Sequence, residues 1–330
     1  MNILSKTIYL LIMKTSILVG GQAVIEGVMM RVPGAYATAV RLKNGKIISQ
    51  RFNFKSTIEQ KGLKKYVILR GMIHLYESMR IGYQTLNWSA SVYEEDQNHQ
   101  EKAQESIFKN ILEYCATIIS ILFAMFLFIL LPLFLTGFFI QNINQPVYFN
   151  FVSGFIRIII FLSYLILISQ LNDVKRLFQY HGAEHKTIFN FESGKKLGTA
   201  EAQKFSTKHP RCGTSFIFII MLVTIFSYTI LDSIALLFID ELTISIRFVM
   251  HIACLPFVAG VGYEVLKFLA TKQHILFFKY LSKPGLWLQS ITTKNPEDDQ
   301  IDVAIFALKE AFGEKFDIYI GKKYKADSIG

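Results

Sequence analysis

Between Glu113 and Arg157 the chain carries no aspartate, glutamate, lysine or arginine. A charge-free stretch of that length exceeds the roughly 20 residues needed to cross the apolar core of a bilayer, which argues against an ordinary soluble domain. Cysteine is scarce as well. Cys115, Cys212 and Cys254 are the only three, an odd number, so no disulfide framework is implied and a reducing compartment fits. No internal repeat is visible, and ionisable groups inside the apolar stretches are few, which weighs against a transporter built from repeated halves. The glycines near the N-terminus lack the Lys-Ser/Thr ending of a phosphate loop. No nucleic-acid motif accompanies the formal net charge of +10, so nucleic acid is not an expected partner. The apolar run from Ile8 to Met13 is short and no small-residue cleavage site follows, so no signal peptide is expected; Met13 is an alternative start.

What is present points to the membrane. Of 330 residues, 52% are hydrophobic and only 18% charged, and the mean hydropathy is +0.36. The expected fold is an α-helical polytopic membrane protein of about four transmembrane helices, with a small N-terminal α+β region and a C-terminal amphipathic helix. The spans fall at about 115–139, 149–169, 214–238 and 246–267. They divide the chain into an N-terminal cytoplasmic or interfacial region (1–105), a membrane domain (106–270) and a cytoplasmic interfacial tail (271–330).

Charge placement gives an orientation. The connection 172–213 holds Lys175, Arg176, Lys186, Lys195, Lys196, Lys204, Lys208 and Arg211, whereas the link near 239–245 holds only Asp240 and Glu241. The positive-inside rule puts the basic loop and both termini in the cytoplasm, facing anionic lipid headgroups. Membrane lipids are thus the expected partners, and homo-oligomerisation stays open. Arg157 and Arg247, near the outer ends of spans two and four, are expected to snorkel outward. His251 is expected to pack or to hydrogen-bond between helices.

The flanks carry local signals. Ala37–Leu42 and Lys46–Phe52 read as strands joined by a two-residue Asn44-Gly45 turn. Residues 63–92 read as a helix lying on the membrane surface or on the spans, with Ile73, Tyr76, Tyr83 and Leu86 at apolar positions. After span four, Phe277, Phe278, Tyr280, Leu286 and Trp287 suggest an interfacial segment. Asn295 then reads as a cap and Pro296 as the first residue of an amphipathic helix over 296–312.

The chemistry concentrates in Tyr180–Lys186 (YHGAEHK). Residues at i, i+3 and i+4 share a helix face, so His181, Glu184 and His185 point at one spot. The spacing is that of H-x-x-E-H, an inverted zinc-protease signature. Two imidazoles make half a zinc site, with Glu184 as general base or fourth ligand. The competing reading is plainer: polar residues closing a helix end, with Glu184 paired to Lys186 or another loop cation. His209 and Cys212 stand at the entrance to span three on the same face, which makes them the candidate third and fourth ligands. Glu264, near the cytoplasmic end of span four, is a further candidate ligand because an ionisable group there is costly. Glu26, within GGQAVIEG, is a candidate catalytic acid, against a purely structural turn. The implied cofactor is a divalent metal, zinc by donor type.

The segments Gly20–Arg31 (GGQAVIEGVMMR), Tyr180–Lys186, His209–Phe216 (HPRCGTSF), Pro284–Gln289 (PGLWLQ) and the tail from Thr292 occur in this order. Together they resemble the YqhQ-like family of bacterial integral membrane proteins, over about residues 17–312. Val32, before Pro33, stands where the resemblance leads one to expect glycine. The resemblance implies multi-pass residence in the bacterial cytoplasmic membrane and a metal-dependent enzyme, without naming a reaction. Two function classes follow. One is a metal-dependent hydrolase with its site at the cytoplasmic membrane surface. The other is a non-enzymatic scaffold or lipid-handling factor of envelope maintenance with a structural metal. Coordination separates them: four protein ligands from His181, His185, His209 and Cys212 would favour the structural reading. Two histidines with Glu264 and an open position would favour the enzyme.

Overall fold

A computed structural model describes residues 17–97, 107–140, 144–210, 212–271, 280 and 283–324. Met13, Phe277, Phe278 and the polar link beyond Gln97 lie outside the described residues.

Four strands open the fold: β1 (Gly20–Val24), β2 (Gly27–Val32), β3 (Ala35–Arg41) and β4 (Ile47–Asn53). They form an antiparallel meander in sequence order. The β3–β4 hairpin expected at Asn44-Gly45 is there, with one change. Leu42 and Lys46 still pair through the Leu42 N–H at 2.9 Å, so the loop is Lys43–Gly45. Gly45 sits at φ +82°, the left-handed position that a three-residue loop assigns to glycine. The GGQAVIEGVMMR segment forms a second hairpin, with Val24 opposite Gly27 and Glu26 at φ +51°.

The helices follow in order: α1 (Val67–Gln97), α2 (Ile107–Met125), α3 (Leu131–Phe139), α4 (Pro146–Ile168), α5 (Asn172–Glu192), α6 (Gly213–Ala235), α7 (Ile244–Thr271), α8 (Lys283–Thr292) and α9 (Asp298–Phe312). A π-helical stretch, Phe126–Leu130, joins α2 to α3 immediately before Pro132. A proline ring collides with the carbonyl four residues back, and a widened turn relieves that clash.

Both faces of the sheet are covered, so β2 and β3 read as nearly unbroken apolar runs rather than alternating ones. Val28, Met30, Ala35, Ala37 and Ala39 pack against Ile301, Ala304, Leu308 and Ala311 of α9 and against Tyr180, Ala183 and Ile188 of α5. Small side chains on both sides let the helix lie close to the strands. The opposite face holds Val24 and Val40 against Val92 of α1, and Met29 and Tyr36 against Ile81. The C-terminal helix is therefore the central helix of this core and not an interfacial one; Ile301 and Leu308 are fully buried, each worth about 2 kcal/mol of transfer free energy. It starts at Asp298, later than expected. Glu297 is its cap and exchanges reciprocal hydrogen bonds with Gln300, so the cap is not Asn295.

Among the described residues, four helices are long and apolar enough to cross a membrane: Tyr114–Phe139, Pro146–Ile168, Ile217–Ala235 and Ile244–Leu269. They match the expected spans within a few residues. The third ends at Ala235 rather than 238, and the second begins at Pro146 rather than 149. Large apolar side chains such as Leu122, Phe138, Phe155 and Val249 are exposed along them, which is compatible with surfaces that meet lipid.

The two arginines do not snorkel. Arg247 is 0% exposed and forms an ion pair with Asp232 of α6, its guanidinium 4.1 Å over the Phe149 ring. Asp232 also accepts from Asn150 Nδ2 at 2.6 Å and from His251 Nε2 at 2.9 Å. His251 thus makes the interhelical bond expected of it. Arg157 lies eleven residues into α4, about 16 Å of helical rise, and faces the Tyr228 ring at 5.8 Å. From that depth an outward reach is too long, and a ring within the bundle takes its place.

Candidate metal centre

Helix α5 places the two histidines. They lie in its middle, not at its end, because the helix runs on to Glu192. One face of it meets β1 and the other receives the tail after α8. Gly182 permits the second contact: a Cβ there would come within 2.0 Å of the Lys294 carbonyl. The tail is held in place by the Lys294 N–H, which donates to the Phe178 carbonyl at 2.9 Å. That packing delivers the Thr292 carbonyl to His181 Nδ1 at 2.8 Å. His185 Nδ1 meets the carbonyl of Thr207 at 2.5 Å. A carbonyl only accepts, so each ring carries a proton on Nδ1 and turns its Nε2 edge away from that carbonyl.

The Nε2 of His181 faces a thiol. Cys212 caps the start of α6, and its Sγ lies 3.2 Å from His181 Nε2 and 3.2 Å from Thr214 Oγ1. Donor atoms of His181, His185 and Cys212 all lie within 4.8 Å of one another. The edges of a tetrahedral zinc site with nitrogen and sulfur donors are about 3.5 Å, so a small inward movement closes the set. Glu184 stands beside it, Oε2 3.3 Å from His185 Nε2. Gly21 of β1 makes room for that carboxylate, since a Cβ would come within 2.7 Å of Glu184 Cγ.

His209 approaches without joining the group. Its ring is 5.5 Å from that of His185 and 4.5 Å from Phe189. Its backbone is clamped by Gln289, which accepts from the His209 N–H at 2.8 Å and donates to its carbonyl at 2.9 Å. Glu192 Oε2 lies 3.9 Å from His209 Nε2. Glu264 is elsewhere. It accepts from Arg70 Nε and Nη2, at 2.7 and 2.6 Å, and fastens α1 to α7, where Gly71 lies against the backbone of Gly260. Glu26 occupies the β1–β2 turn and is gripped by Arg176 and by the Tyr180 hydroxyl. Burial, and then the Glu26 carboxylate, push the Tyr180 hydroxyl up; the hydrogen bond to Glu26 raises the Arg176 guanidinium. These are the marks of a turn locked onto α5. Lys186 points away from Glu184 to the carbonyls of Gln203 and Phe205, and burial lowers its ammonium.

The donors open into a cleft of about 510 Å³ between α5, β1 and the first turns of α6. Gly20–Ala23, the α5 face, His209 and Cys212 all line it. Sequence reasoning missed Gln289, Gly21, Gly182 and the carbonyls of Thr207 and Thr292. Four of them sit in segments already marked as signatures (GGQAVIEG, HGAEH, PGLWLQ and the tail from Thr292), but a supporting carbonyl leaves no trace in residue type.

Comparison with known proteins places the chain in a family. The family model described as "Protein of unknown function (DUF1385)" matches residues 67–314. The chain belongs to that family. The "Uncharacterized protein YqhQ" of Bacillus subtilis (strain 168) is 33% identical over 302 residues, spanning 88% of this chain and 91% of its own length. The DUF1385 match takes in His181, Glu184, His185, His209 and Cys212, while the glycine-rich hairpin that faces them lies ahead of it. No solved structure matches the chain.

Proposed function

We propose that this DUF1385 protein is a multi-pass protein of the bacterial cytoplasmic membrane, with both termini inside, and a zinc-dependent hydrolase whose site lies at the cytoplasmic surface. The basic loop 172–213 supports the orientation. The observation that carries the metal is the convergence of His181, His185 and Cys212 within 4.8 Å, each imidazole braced through Nδ1 by a backbone carbonyl. That bracing is the arrangement that orients metal-binding histidines. Two imidazoles and a thiolate would suit zinc, and the three donors line the cleft. Zinc there would supply a Lewis acid. Glu184 lies beside these donors, where its carboxylate would accept a proton from water, and Gly21 keeps the space clear. Glu264 and Glu26 have no part in this reading: one docks α1 and the other locks a turn.

The proximity of His209 favours a second reading. A modest ring movement would add it as a fourth donor and close the site, as in a scaffold with a structural metal. Elemental analysis of the purified protein is expected to give one zinc per chain. Cobalt substitution should produce a thiolate charge-transfer band that Cys212→Ala abolishes. His185→Ala loses metal, whereas Glu184→Gln keeps metal and fails to complement a deletion strain. Absence of stoichiometric metal, with no zinc-dependent change in melting temperature, refutes the metal. A fully complementing Glu184→Gln refutes the hydrolase and leaves the scaffold.

A further inference from the structure

The cleft has a depth gradient. His185 and Ile188 at its floor are 1% exposed, and Val19 is 2%. At its rim stands Ile217, 38% exposed. That isoleucine is also the first residue of the third candidate span. Half-buried Leu177, in the second turn of α5 and nine residues beyond the end of the second candidate span at Ile168, lines the same wall. Leu177, Ile188 and Ile217 thus line one cleft together with the imidazole and thiol donors, and Ile217 joins it to a helix apolar enough to cross a membrane.

We infer that the cleft admits an acyl chain of an inner-leaflet membrane lipid, so that the substrate of the proposed site is a lipid that brings its headgroup linkage to Glu184 and the donors. This rests on the membrane placement and metal reading above, and it adds the substrate class. A water-soluble peptide would have no use for an exposed isoleucine at the rim on a spanning helix, where the hydrophobic effect favours a hydrocarbon neighbour. A single chain entering an apolar slot is instead stabilised by each methylene it buries.

The test uses the full-length protein in vesicles of phosphatidylethanolamine and phosphatidylglycerol, with a benzophenone amino acid replacing Leu177. Mass spectrometry after irradiation is expected to find a phospholipid adduct. Ile217→Trp, which fills the rim, should lower its yield at least tenfold while zinc content stays unchanged. The same photoprobe at Thr214 serves as a second position, in case Leu177 does not tolerate replacement, and at exposed Glu314 it should give no adduct. The proposal is overturned if Leu177 and Thr214 crosslink only to protein, or if Ile217→Trp leaves the adduct yield intact. Zinc measured in the same samples separates the two readings. Metal-loaded protein without adduct removes the lipid and keeps the metal, and adduct on metal-free protein does the opposite.

Discussion

Replacing Asp232 by alanine tests whether the candidate membrane helices are joined by charge rather than by apolar contact alone. Asp232 is 0% exposed and is shared among three helices: it pairs with Arg247 and accepts from Asn150 and His251. Breaking a fully buried ion pair by removing one partner costs about 3–5 kcal/mol. The two interhelical hydrogen bonds add about 0.6 kcal/mol each in a membrane setting. The sum is near 5 kcal/mol, more than a thousandfold in the unfolding equilibrium. Unfolding in mixed micelles titrated with dodecyl sulfate, followed by circular dichroism, measures it. Leucine at both 232 and 247 should recover most of the loss, because an apolar pair of similar volume replaces a buried ion pair at little or no cost. A stability within 1 kcal/mol of wild type for Asp232→Ala would refute the reasoning. So would a double variant no better than the single one.

Gly182→Ala drives a methyl group into the Lys294 carbonyl; it should cost about 1–3 kcal/mol and, by displacing the Thr292 brace from His181, weaken zinc binding about 10–100-fold in a chelator competition. Glu264→Gln should leave zinc content unchanged and loosen α1 from α7, seen as faster amide hydrogen exchange over Val67–Tyr76; loss of metal would return Glu264 to the site. Glu77 gives a pH prediction. Burial alone would raise its carboxyl, but hydrogen bonds from Thr57 and Ser56 and the nearby His74 hold it below the usual range. A depressed folded value means stability present above the ordinary glutamate value of about 4.3 and lost as pH falls through the folded one. Glu77→Gln should therefore be less stable than wild type at pH 7, with the gap closing below about pH 4 in thermal melts.

The spans were legible because they depend on a one-dimensional property, the absence of charge over a helix's length, and Pro132 or Pro256 scarcely disturbs it. The β3–β4 hairpin was legible from Gly45 for a similarly local reason. The position of α9 was not. Its apolar residues recur at helical spacing whether they meet lipid or protein, and only the alanines of β3 decide for the sheet. Arg247 failed in the same way, since outward snorkelling and pairing with Asp232 suit the same local sequence, and the choice rests on a carboxylate fifteen residues away on another helix. At the site, the i, i+4 histidines declared themselves. Cys212 was reachable through topology, because α4 and α6 were expected to end on one face. Glu264 attracted attention for being costly, and the cost is met by Arg70, which no spacing rule connects to it.

The donor set has a further consequence through where its members are anchored. His181 and His185 belong to the helix that shares a core with the sheet and α9, whereas Cys212 is the cap of a candidate spanning helix. Their rings are held from behind by carbonyls of two other segments, the loop before α6 and the end of α8. A metal closing on these three side chains would tie the helix of the sheet core to the first turn of α6. Metal occupancy and the seating of the sheet core on the candidate membrane helices should thus rise and fall together. Hydrogen exchange at the first turn of α6, with and without chelator, reads that linkage directly: protection that is indifferent to metal would mean that the cleft is preformed and the ion does no more than occupy it.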